Sequence, residues 1–144
     1  MHDVLEGVCL YVLGKLLYTF IYVKKYFTED WLNSKMEDLD FGDESNTPPS
    51  FKGNRLEFRM HIRTSAAEML CFVKYLGLLI GEKIPIGDKH WKLYKLLAQI
   101  VDILMSPRID VGMIRDLRDN VEALLKLYIE FYGSLKPKFH NLLH

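Results

Sequence analysis

The chain has 144 residues, 49% of them hydrophobic and 12% aromatic, which is enough to bury a core in one domain and too little to argue for two. Its 19 Lys and Arg balance 19 Asp and Glu, so no global electrostatic attraction draws it to a polyanion, and any nucleic-acid contact must come from a local patch. Two cysteines, Cys9 and Cys71, stand far apart with no CxxC pair, which excludes a disulfide framework and a cysteine-based zinc finger and favours a reducing, intracellular setting.

The first helix is expected from about Asp3 to Lys24. Its apolar run, Val8 to Val23, is about 16 residues against the roughly 20 that span hydrocarbon, and it carries Lys15 near its middle. Asp3 and Glu6 occupy the place where a signal peptide carries basic residues. A buried helix, with no membrane partner, explains the same residues. Thr28 offers an N-cap to a second, shorter helix with Trp31, Leu32, Met36 and Leu39 at helical spacing.

From Asp40 to Arg63 turn formers concentrate: Gly42, Asp43, Ser45, Asn46, Thr47, Pro48, Pro49, Ser50, Gly53 and Asn54. The interval reads as one long loop packed on the helices, and loops of this length are functional or disordered. Leu56, Phe58, Met60 and Ile62 alternate as a short strand would, a reading ranked below the loop. This segment also gathers Lys52, Arg55, Arg59 and Arg63, with His61, between the apolar residues Phe51, Phe58 and Met60. It is the chain's one basic segment with aromatic interleaving. These four cations are the candidate DNA-contacting residues; as a solvated surface they need no partner.

Ser65-Ala66-Ala67-Glu68 forms a capping box at the start of a third helix, which continues through Met69, Leu70, Phe72, Val73, Leu76, Leu79 and Ile80. Apolar nearly all round, it is expected at the centre of the bundle. Gly81 and Pro85 end it. Asp88 caps a fourth helix with Trp91, Tyr94, Leu97, Ile100, Val101, Leu104 and Met105 on one stripe, stopped by Ser106-Pro107. A fifth starts near Asp110 and carries Met113, Ile114, Leu117, Val121, Leu124, Leu125, Tyr128, Ile129 and Tyr132 up to Gly133. Pro137 sits where the first position of a sixth helix would be. The expected fold class is therefore all-α: a single irregular bundle of five to six helices with one long loop around residues 40–63.

The chain opens on Met1-His2-Asp3-Val4-Leu5-Glu6 and closes on Lys138-Phe139-His140-Asn141-Leu142-Leu143-His144. His140 and His144 share a helix face, as do His2 and Glu6, so a metal site is conceivable if the termini meet. The plainer alternative is solvated histidines at both ends. Cys9 stands about 10 Å along the helix from His2 and does not easily share an ion with it. Both cysteines read as buried small apolar side chains. Paired carboxylates such as Glu29-Asp30 and Asp38-Asp40 read as helix-end charges. No nucleophile elbow, Gly-rich phosphate loop, HExxH or Ser-His-Asp arrangement is present.

Three blocks, MHDVLEGV at 1–8, SAAEMLCFVKYLGLLIGEKIP at 65–85 and LKPKFHNLLH at 135–144, resemble in order and spacing the equivalent blocks of transposase-like proteins of animal DNA transposons, related to the CACTA or En/Spm group. The resemblance implies the all-helical region inserted into the RNase H-like core of a DDE-type transposase, whose acidic residues hold two divalent ions for strand cleavage and transfer. That core is not recognisable here, so the expectation is a non-catalytic fragment of a longer protein, not itself an enzyme, with no catalytic residues. It would scaffold the missing core, contact transposon DNA or a second protomer, and work in the nucleus. The resemblance also matches His2, His140 and His144 to ligands of a structural zinc site. The fourth ligand would fall before Met1, so the site is incomplete unless Glu6 or water fills it. The alternative function is a small helical protein-interaction module left by a decayed or domesticated element; a fragment torn from its core, by contrast, should expose apolar surface and self-associate.

Overall fold

The computed structural model describes the backbone of residues 2–38, 50–55, 57–63 and 66–133, and the side chains of these apart from residues 2–6 and 66–71. The elements run α1 (His2–Tyr18), a π-helical turn (Thr19–Val23), α2 (Glu29–Glu37), β1 (Ser50–Asn54), β2 (Arg59–Arg63), α3 (Ala66–Ile80), a 3₁₀ turn (Gly81–Lys83), α4 (Lys89–Leu104) and α5 (Val111–Tyr132). The chain is mostly helical, as its periodicity predicts. It divides into two compact units, Leu10–Pro85 and Met1–Cys9 with Ile86–His144.

In the Leu10–Pro85 unit the first helix ends through its own chemistry. Buried Thr19 returns its hydroxyl to the Lys15 carbonyl at 3.0 Å, a back-bond that bends helices. The next turn widens, with Lys24 N donating to Thr19 O at 2.8 Å. Lys25, at φ 57°, reverses the chain, and Tyr26 N closes on Phe20 O at 2.8 Å. Thr28 then caps α2 as its residue type predicts, its hydroxyl accepting from Trp31 N at 3.0 Å. Val12, Leu13, Leu16, Leu17 and Phe20 are buried, as are Leu32 and Met36 of α2 and Phe72, Val73, Leu76 and Ile80 of α3.

The expected all-α class needs a correction, because the second half of the expected loop is an antiparallel hairpin. Ser50 pairs with Arg63, Phe51 with Ile62, Lys52 with His61, Gly53 with Met60 and Asn54 with Arg59. The physical reason is alternation on both sides of the turn: Phe51 and Met60 are buried on one face, and strand pairing satisfies the backbone groups that burial takes from water. Residues 39–49, the rest of that loop, lie outside the described ones, as does the capping serine Ser65. A second correction concerns α3, which is not buried all round: Tyr75 and Leu78 are exposed, Leu78 by 78%.

In the other unit α4 and α5 pack against each other, joined by residues 105–110. Asp88 caps α4, its carboxylate accepting from His90 N and Trp91 N, and Asp110 caps α5 by accepting from Met113 N at 2.8 Å. Gly133, at φ 88°, ends α5 as a left-handed stop. The ring of His90, near the start of α4, stacks on Phe131, near the end of α5, at 4.1 Å between centroids, so the two helices run antiparallel. Leu93, Leu97, Ile100, Val101 and Leu104 are buried, as are Val121, Leu124, Leu125 and Tyr128. Among the described residues no helix is long and apolar enough to cross a membrane.

Candidate nucleic-acid interface on the hairpin

The hairpin is fixed to the helices on three sides. Gly14 of α1 lies so close to β2 that a Cβ there would stand 2.5 Å from the Met60 carbonyl oxygen, and a Cβ on Gly53 would meet the Tyr22 ring at 2.9 Å. Asn33 of α2 grips the β1 backbone at one residue: its amide nitrogen donates to Phe51 O at 3.1 Å and its oxygen accepts from Phe51 N at 2.9 Å. It supplies to β1 the two bonds a further strand would give. Inside the unit, Phe51 meets Phe72 of α3 with ring centroids 5.4 Å apart.

The turn is ordered by polar contacts. Asn54 accepts from Glu57 N at 3.2 Å through its side-chain oxygen, which aims its amide nitrogen at Nε2 of His61, 2.9 Å away. Lys15 of α1 donates to the Glu57 carbonyl at 2.7 Å. The Glu57 carboxylate lies 2.8 Å from Arg59 Nε, and the Arg59 guanidinium sits over the Tyr11 ring at 4.7 Å. Arg59 thus fastens the hairpin to α1, and its side chain is only 22% exposed.

The four cations therefore divide. Lys52 and Arg63 are exposed on the hairpin face opposite Phe51 and Met60, where Lys52 stands directly across from half-exposed His61 and diagonal to Arg63. Arg55 is exposed at the turn. Residues 50–63 carry four cations against one carboxylate, Glu57, and that carboxylate is paired with Arg59. A surface of this kind holds phosphates through side chains on a rigid backbone. Phe58, an interleaved aromatic of the basic segment in sequence, stands at the turn, exposed by 63% with φ 51°; what the sequence did not single out are the anchors Asn33 and Tyr11. A bulky residue in the left-handed region carries no local sequence signal.

The α4–α5 pair offers a different surface, a shallow cleft of about 520 Å³ lined by Gln99, Asp102, Ile103, Asp116, Asp119 and Asn120. Among the described residues no group of three or more His, Cys, Asp or Glu is placed to hold a metal ion. The zinc ligands that the resemblance matches lie outside the described part: His140 and His144 as whole residues, His2 in its side chain.

Comparison with protein-family models, curated proteins and solved structures finds no match to this chain.

Proposed function

We propose that this chain is the non-catalytic helical scaffold region of a transposase-like protein, and that it holds DNA by backbone phosphates through Lys52, Arg55 and Arg63. The observation that carries the DNA reading is the concentration of exposed cations on a hairpin braced against α1 and α2, in a chain whose net charge is zero. Arg59 acts in this reading as a positioning residue, since its guanidinium is committed to Tyr11 and Glu57. The resemblance of the three sequence blocks supplies the parent protein, its catalytic core as partner, and a nuclear setting.

Binding of a fluorescent duplex, followed against salt concentration, tests the reading. Each phosphate contact contributes about 0.9 to the slope of log affinity on log salt, so replacing Lys52, Arg55 and Arg63 together with alanine should flatten it by about 2.7. All three are exposed, so the variant keeps the fold. An unchanged slope sinks the DNA role.

A second reading, a protein-interaction module, is favoured by the first half of α5. Val111 is 75% and Ile114 55% exposed there. Size exclusion separates the two readings: a fragment torn from its core should self-associate through exposed apolar surface of this kind, whereas elution as a monomer at all concentrations supports the module.

A further inference from the structure

We propose that Phe58 is a stacking platform for an unpaired nucleic-acid base, a role that rests on the nucleic-acid reading of the hairpin and extends it from phosphates to bases. The ring stands at the turn, 63% exposed, so most of its apolar surface lies outside the core. Its backbone adopts φ 51°, a conformation that is strained for a bulky L-residue and that glycine or asparagine would adopt more readily. A turn that needs only to reverse the chain has no use for phenylalanine at this position.

The ring is also held in place. Tyr18 meets it edge-on with centroids 6.1 Å apart, the preceding carbonyl is tied to Lys15, and the preceding N–H is tied to Asn54. A pre-positioned aromatic surface loses little conformational freedom when a ligand lies on it. Arg55 is three residues away in the same turn, so a base on the ring would have a cation near its phosphate. Every base has a π-face, so such a site tolerates any sequence. Unpaired bases fit better than a duplex, because wedging the ring between paired bases must first unstack them and an unpaired base avoids that cost. A protein partner would match the exposed ring alone; the surrounding cations match a polyanion.

The test uses the full chain with two fluorescent probes, an oligothymidine of about 20 nucleotides and a duplex of equal length, long enough for one such site. Phe58→Ala should weaken oligothymidine binding about tenfold and leave duplex binding unchanged. Phe58→Gly, which suits the positive φ and so preserves the turn, should lose oligothymidine to the same extent. Phe58→Trp should retain binding, and the introduced indole should be quenched when oligothymidine is added, beyond any change in Trp31 and Trp91 of the parent. Oligothymidine binding unchanged in Phe58→Ala and Phe58→Gly, with the parent still binding both probes, overturns the stacking role alone. Equal losses on both probes overturn it as well, since they mark a general effect on the hairpin. A parent that binds neither probe overturns the nucleic-acid reading itself.

Discussion

Tyr22 joins three elements through one ring and one hydroxyl. The ring fills the space that Gly53 leaves open in β1, it lies against Tyr18 at 4.8 Å, and its hydroxyl donates to the Glu29 carboxylate at the start of α2. Ionising the phenol would break that hydrogen bond and set two anions together, so its pKa is pushed up from 10.0 to about 12, with partial burial adding to the effect. The folded value lies above the unfolded one. The contribution to stability is therefore complete below pH 10 and is lost as pH rises towards 12. Tyr22→Phe should accordingly show a shallower fall in urea midpoint across that window than the parent; parallel curves would mean that the hydroxyl contributes nothing.

At the scale of elements, the grip of α2 on β1 depends on one side chain. Asn33→Ala leaves the Phe51 N–H and carbonyl without their partner and should destabilise the fold by about 1–3 kcal/mol, with amide exchange faster in the hairpin than in α4 and α5. Asn33→Asp keeps the acceptor and loses the donor, so it should lie between the two. The helices were legible because their ends carry local chemistry: Thr28, Asp88 and Asp110 cap as their types predict, and Gly133 stops α5. The hairpin was not. Gly53 and Asn54 read as turn formers, yet Gly53 is in the strand because Tyr22 occupies the place of a side chain, and Asn54 because its amide organises the turn that follows. The exposed stripe of α3 was equally hidden, since Tyr75 and Leu78 are as apolar in sequence as the residues that the core covers.

Across the whole molecule, neutrality conceals segregation. The hairpin gathers cations while Asp102, Asp116 and Asp119 line the cleft between α4 and α5. With three exposed cations on the hairpin, duplex affinity should fall about fortyfold between 50 and 200 mM salt. Titration of the parent at those two concentrations checks this, and a fall of several hundredfold or more would place phosphate contacts elsewhere. The basic segment was legible as a composition; which cations stay free was not, because Arg59 is withdrawn by Tyr11, a residue 48 positions earlier in the chain. One further consequence comes from the π-helical turn at Thr19–Val23. A π turn holds one residue more than an α turn closing the same space. Because the wider turn takes up that extra residue, a deletion there would let it close as ordinary α, whereas a deletion in the regular α turns before it would rotate Tyr22 by about 100° away from Gly53 and Glu29. The placement of the hairpin on its helix is thus written in the number of residues that lead up to this turn, and a single-residue change of length in α1 would erase it where many substitutions would not.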